Sequence, residues 1–280
     1  MQKAIDSHFH IWRQKDLPWL IGPMVPRIFG PYEAIRRDYP ISEFLADQAG
    51  AGVEKAVYVQ TNWAREHYFE EASWVQRTVD ETGWPHAIVA YADMSVEDVR
   101  PQLDRLKDIP LVRGVRMQLH WHEMPQYRFA PSATQVIDPA VGRNVARLKD
   151  YGLSFDLQLF PAQMRDGATL VAENPGTDFI LTHGGMLTDR DEATVQAWRE
   201  GLRALAVHRN DPDLIRFIVN ESIAIFGCDR LMFGSNFPVE KLWTDHASLI
   251  AAHRAAIAGY SQADQADFLW NTAARVYRPV

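Results

Sequence analysis

Short apolar runs alternate with longer stretches of helical period along the whole chain. That alternation is the pattern of strands connected through helices. The apolar runs predict strands over 4–12, 53–63, 85–94, 112–121, 153–160, 178–186 and 230–239. The helical patterns between them cover 41–51, 67–82, 96–107, 139–151, 161–173, 192–206, 212–226, 245–258 and 262–276. Pro161 and Pro212 stand where helices begin, and Gly152 follows one that ends. Repeated β-then-α units over this length favour a closed barrel or a doubly wound sheet. The count stops at seven strands. The helical patterns near Trp198 and Phe217 are separated only by the segment around Arg209, Asn210 and Asp211. A strand with its loops needs about 15 residues there, so a barrel is expected to be irregular or incomplete at strand seven.

Polar and apolar residues sort by alternation within these runs, because successive strand side chains point to opposite faces. Asp6, His8 and His10 fall on one face of the first strand; Ile5, Phe9 and Ile11 fall on the other. Tyr58, Gln60 and Asn62 oppose Val57 and Val59. Arg116, Gln118 and His120 oppose Val115, Met117 and Leu119, and Asp156 and Gln158 oppose Phe155, Leu157 and Leu159. His183 shares a face with Phe179 and Leu181, and Asn236 shares one with Met232 and Gly234.

A strand covered on both sides is ordinarily apolar throughout, so these ionisable groups require partners, a metal or water. The polar faces become most polar toward the strand ends. A closed barrel would gather them at its C-terminal mouth, where enzymes of this architecture carry out their chemistry. Taken singly, each signal is weak. His120 and His122, in His-Trp-His-Glu, also read as loop residues, His122 above all. Arg116 reads equally well as a structural ion-pair partner. His183 precedes Gly184 and Gly185, whose lack of Cβ lets backbone approach a ligand closely. The convergence of polar ends from six strands is what points to a site.

Composition narrows the setting. With 280 residues, 47% of them hydrophobic, the chain reads as a single domain over 1–280 with ample core. A formal net charge of −7 and the lack of any Lys/Arg run argue against a nucleic-acid partner. Cys228 stands alone and cannot form an internal disulfide, which fits a reducing compartment. No stretch has the form of a signal peptide or approaches the roughly 18 apolar residues of a membrane helix. The expectation is a cytoplasmic protein acting on a small molecule, with no membrane partner and with homo-oligomer formation left open.

Three motifs then carry a resemblance. Asp6-Ser7-His8-Phe9-His10, Thr182-His183-Gly184-Gly185 and Phe233-Gly234-Ser235-Asn236-Phe237-Pro238-Val239, with Val112-Arg113-Gly114-Val115-Arg116 beside them, resemble the amidohydrolase superfamily, in particular its lactonase-like branch. The resemblance spans essentially the whole chain and implies a (β/α)8 TIM barrel of the α/β class. It also implies that His8, His10 and His183 face the reacting centre. In metal-using relatives the first-strand histidines bind a divalent ion, usually zinc; some lactonases of the branch work without one. The strand-eight aspartate that normally activates water is replaced here by Asn236. A neutral amide neither accepts a proton nor binds a cation well. Strand four offers no bridging lysine, and Lys55 lies at the wrong end of strand two. A dinuclear site is therefore excluded from the expectation. One zinc on His8, His10 and His183 and a metal-free site both stay open.

The expected activity is hydrolysis of a small cyclic ester or amide, a carboxylate-bearing lactone being preferred. His183 or His120 would take the proton from water, with His8 and His10 polarising the carbonyl. Arg116 would hold a carboxylate or oxyanion, and Asn236 would orient water or substrate. Gln118, Gln60, Asn62 and Asp156 are candidate substrate contacts. Arg27 and Tyr32, in the Pro/Gly-rich segment after strand one, are candidates for a lid. The alternatives are a non-hydrolytic barrel enzyme, a decarboxylase or lactone isomerase, and an inactive binding relative.

Overall fold

The computed structural model describes residues 2–187, 191–205 and 214–280. The segment where strand seven was sought, around Arg209, Asn210 and Asp211, lies outside them. Among the described residues six strands form one parallel sheet in sequential order: β1 (Ala4–Phe9), β2 (Val53–Val59), β3 (Ala87–Ala90), β4 (Val112–Val115), β5 (Ser154–Leu157) and β6 (Phe179–Leu181). The helices are α1 (Pro18–Ile21), α2 (Ile41–Asp47), α3 (Tyr68–Thr82), α4 (Arg100–Lys107), α5 (Pro139–Val145), α6 (Leu148–Tyr151), α7 (Met164–Glu173), α8 (Glu192–Leu205), α9 (Leu214–Phe226), α10 (His246–Ile257), α11 (Gln262–Ala266) and α12 (Thr272–Tyr277). None among the described residues is long and apolar enough to cross a membrane.

Local chemistry sets several boundaries. Asp138 caps α5 by accepting from Ala140 N at 2.7 Å, with Pro139 in the first helical position. Gly83 ends α3 with φ 77°, a left-handed conformation that glycine adopts without penalty. The pattern predicted one helix over 262–276; a π-turn at Asp267–Asn271 divides it into α11 and α12.

Two layers pack against the sheet. Phe9, Tyr58, Ile88 and Phe155 belong to a core shared with Phe44 of α2, Val75 of α3 and Leu103 of α4. Ile5, Val57, Val59, Ala87 and Val89, from the opposite face, pack with Ala273 and Tyr277 of α12. This split corrects three expectations. Ile5, expected on the face of Phe9 and Ile11, lies opposite them. Tyr58 faces the helix layer, where its hydroxyl donates to Glu71 of α3 at 2.7 Å. Asp6 does not share a side with His8. β1 slips register between Asp6 and Phe9, so strict alternation fails there. Asp6 meets His246 of α10, Nε2 to Oδ2 at 3.3 Å, while the His8 ring meets His10 and His183.

The predicted last strand is an irregular extended segment preceded by a 3-10 turn at Cys228–Arg230. It still lies alongside β1. Ser7 N donates to Phe233 O, Asn236 N to His8 O and His10 N to Phe237 O, with both sets of numbers rising together as in a parallel pair. Gly234 is required by this contact, since a Cβ there would stand 2.9 Å from the His8 Cβ. Asp6 holds the pair together, its Oδ1 accepting from Ser235 N at 2.8 Å and His8 N at 3.2 Å.

Asp6 is fully buried, so removing its carboxylate strands two backbone donors and the His246 ring. Asp6→Ala is expected to lower stability by about 2–4 kcal/mol and Asp6→Asn by less, as read by urea unfolding. Equal loss from both variants would mean that packing, rather than the acceptor, holds the segment.

Candidate active site

The residues predicted on strand ends sit just beyond them. β4 stops at Val115, β5 at Leu157 and β6 at Leu181, leaving Arg116, Gln118, His120, Gln158 and His183 on the loops that follow. The exit from β6 turns through a left-handed residue, His183 (φ 54°), as do the segment after β2 at Asn62 (φ 65°) and the last extended segment at Asn236 (φ 55°). Such conformations are costly for non-glycine residues and cluster where side chains are aimed rather than packed. Gly184 and Gly185 serve packing more than ligand approach: Gly184 O accepts from Trp198 Nε1 at 2.7 Å, and Met164 fills the space at the Gly185 Cα.

His8 is the hub of a group of imidazoles, with ring centroids 5.1 Å from His10 and 4.9 Å from His183. His10 donates from Nδ1 to Val59 O at 2.7 Å. Its Nε2 therefore carries the lone pair, and it faces Asn236 Oδ1 at 3.3 Å. Two acceptors that face each other need a bridging hydrogen from a water or a hydroxyl. Glu240 orients this contact, because its Oε1 accepts from Asn236 Nδ2 at 3.3 Å. Sequence reasoning missed Glu240. The four-residue spacing from Asn236 was the available signal, masked because the segment read as a strand. His120 stands against Phe129 and Phe160, its Nδ1 buried without a partner. His122 is a loop residue, its Nδ1 accepting from Met124 N at 3.1 Å.

Arg116 lies at the centre. It is 3% exposed, donates to Gln60 O at 2.5 Å and Gln158 Oε1 at 3.4 Å, and keeps Nε unpartnered. Burial lowers its pKa only to about 10, so it stays charged at neutral pH, supported by Asp156 and Glu71. Burial, and then the positive potential of Arg116, pulls His10 down to about 3 and His183 to about 4. His120 falls to about 3 by burial, then by His183 and Arg116. His8 is lowered by burial, then by its neighbouring imidazoles and Arg116. His183 is exposed on one side while its ring packs against His8 on the other. The whole group is neutral near pH 7.

Asp156 is fully buried beneath Arg116, accepting from the Tyr277 hydroxyl at 3.1 and 3.2 Å. Burial raises its pKa to about 7. It braces the floor and does not reach the mouth as a substrate contact. Tyr32 is also buried, packed on Trp19 and Phe29 with its hydroxyl accepting from Val25 N at 3.3 Å; it fixes the loop from within. Arg27, Gln60, Asn62 and Gln118 line one cavity of about 300 Å³. The histidines are not among its lining residues. The two regions join at the end of β2, where Val59 holds His10 and the next residue, Gln60, enters the cavity wall.

Buried His8 Nε2 has no partner and His10 Nε2 offers a lone pair, both suited to zinc. Yet among the described residues no three His, Cys, Asp or Glu side chains are grouped to hold an ion. The His8, His10 and His183 rings adjoin one another without converging on a single ion. His183 leaves β6 through a left-handed turn, and Asn236 supplies an amide beside His10.

The sequence profile of the amidohydrolase family matches residues 5–278. The chain belongs to that family. It is 33% identical to the uncharacterized protein y4mH of Sinorhizobium fredii, over 98% of each chain. It is 26% identical to an L-fucono-1,5-lactonase of Burkholderia multivorans, covering 98% of this chain and 95% of that protein. An amidohydrolase from Burkholderia multivorans solved with bound zinc superposes with a TM-score of 0.79 at 24% identity, over 99% of this chain and 100% of that one. That likeness shows the shared fold.

The shifted groups set a pH dependence of stability. Histidines depressed from 6.5 contribute stability that is full above about pH 6.5 and lost as pH falls toward 4 and below. Asp156, raised from 3.8 to about 7, contributes stability that is full below 3.8 and lost as pH rises through 7. In scanning calorimetry, His120→Gln is expected to flatten the acid-side fall in Tm between pH 6.5 and 4. Asp156→Asn should flatten the fall between pH 4 and 7. Profiles parallel to wild type would remove these groups as the cause.

Proposed function

We propose that this protein hydrolyses a small lactone at the ends of its strands, within a closed (β/α)8 barrel whose eighth position is the segment beside β1. The observation that carries the reading is the set of imidazoles kept neutral around the buried Arg116 charge. A neutral imidazole is the form that accepts a proton from water. The lactonase name of a relative covering nearly the whole chain supports the choice of a cyclic ester.

A water held through one hydrogen by Asn236 Oδ1 would have its other hydrogen free for His183 and its oxygen lone pairs free for attack on the ring carbonyl. His183 receives one proton as the carbon–oxygen bond forms. The Arg116 potential stabilises the oxyanion, as charge fixed in a dry site does most effectively. The ring C–O bond then breaks, and the imidazolium returns its proton to the leaving alkoxide. Asn236 thus orients water without being its base, and Glu240 keeps the amide oxygen turned toward His10.

Wild-type protein is expected to open L-fucono-1,5-lactone or a related sugar lactone well above the spontaneous rate in a pH-indicator assay. His183→Ala should lose about 100-fold or more in kcat. Equal turnover by the two would remove His183 from the mechanism; a decarboxylated or isomerised product would exclude hydrolysis.

A further inference from the structure

The cavity next to the histidines is lined by donors that lack acceptors. Arg27 Nε, Gln60 Nε2 and Trp63 Nε1 are all buried with no hydrogen-bond partner, and all three residues line the same space. Leaving a buried N–H unpaired is unfavourable, and native proteins avoid it unless a ligand or water supplies the acceptor. Gln60 and Trp63 are fixed in place by their neighbours. Gln60 Oε1 accepts from Asn62 N at 2.7 Å, which fixes the amide with its NH2 end free. The Trp63 ring lies tilted by 30° against Trp74, 5.9 Å between centroids, with the Arg13 guanidinium over both. Trp19, on the same cavity, differs: its Nε1 already donates to Thr61 O at 2.9 Å.

The charge balance has the same sense. Arg27, Arg65 and Arg128 line the cavity with one carboxylate, Glu71. Arg65 also pairs with Asp93 at 3.6 Å, and Arg128 donates to the carbonyls of His122 and Glu123, which leaves Arg27 as the cation without a carboxylate or carbonyl partner among the described residues. Glu71 is 2% exposed, and its Oε1 already accepts from Tyr58 Oη, Thr61 N and Thr61 Oγ1 at 2.6–2.8 Å. The space therefore presents positive charge and free N–H groups beside the aromatic surfaces of Trp19 and Phe129. Arg27 itself stands 6.0 Å from the Phe129 ring.

We propose that this cavity is the recognition subsite for a carboxylate on a hydroxyl-bearing lactone, with Arg27 as its charged anchor and Gln60 and Trp63 as donors to carboxylate or hydroxyl oxygens. This rests on the lactone reading for the reacting end alone. It moves acid recognition away from Arg116, whose terminal nitrogens already serve Gln60 and Gln158. Arg116 sets the electrostatics of the reacting centre; Arg27 selects the substrate. The substrate class is the monolactone of a sugar diacid, with its ring carbonyl at the histidines and its free acid in the cavity.

Two measurements test this and separate it from the hydrolase reading. The first is titration calorimetry with unreactive open-chain probes: D-glucarate, with two carboxylates, and D-glucitol, with none. Glucarate is expected to bind at least tenfold more tightly than glucitol. Arg27→Met should abolish that preference, and Trp63→Phe, which keeps a ring but removes Nε1–H, should weaken glucarate several-fold. The second is turnover of D-glucaro-1,4-lactone against D-glucono-1,4-lactone, which share a ring size and differ in the terminal acid. Wild type should favour the glucarolactone in kcat/KM by about tenfold or more, and Arg27→Met should bring the ratio toward one. Glucarate binding that depends on Arg27, with neither lactone turned over, would uphold the subsite and overturn the hydrolase. Turnover of both lactones without preference, or glucitol binding as well as glucarate, would overturn the subsite. Circular dichroism of the variants confirms that each is folded.

Discussion

A single buried positive charge organises the mouth of this sheet. Arg116 is kept out of water yet remains charged, which demands compensation on every side. The Gln60 carbonyl and the Gln158 amide oxygen take its hydrogen bonds, and Asp156 and Glu71 balance its field from separate elements. In return, the field of Arg116 reinforces burial in keeping the neighbouring histidines neutral. Four histidines brought together in water would titrate near neutrality; around this guanidinium they remain unprotonated donors and acceptors.

The second constraint is how β1 meets the end of the chain. The register slip after Asp6 turns one side of the motif toward α10 and the other toward the mouth. Asp6 and Gly234 then allow the last extended segment to lie against β1, and this contact carries Asn236 to His10. An acidic residue read on the same face as the first-strand histidines thus acts as the brace that positions Asn236 beside them.

The architecture divides labour over a short distance. Neutral imidazoles and a fixed charge gather at the ends of β1, β4 and β6, while free donors and guanidinium groups line the loops after β2 and β4. The end of β2 joins the two through consecutive residues, Val59 and Gln60. A substrate spanning both would be oriented by its far end before its ring reached the histidines, the arrangement by which remote contacts favour reaction at one carbonyl.

Much of this was legible in the chain. Apolar runs located six parallel strands and most helices, because burial on both faces forces continuous hydrophobicity and helix contacts recur with their own period. The strand-end histidines and Arg116 stood out because ionisable groups are rare in such runs. The faces were less legible. Alternation assumes an unbroken pleat, so the slip in β1, the outward turn of Tyr58 and the burial of Asp156 beneath Tyr277 could not be read from spacing. Trp63 closed a run read as a strand and Glu240 lay just past another, so neither stood out as a polar group of the site. Residue type and spacing marked which groups are too polar for their surroundings. Which of them answer one another was settled by folding, since a partner's position depends on register and left-handed turns that no local pattern encodes.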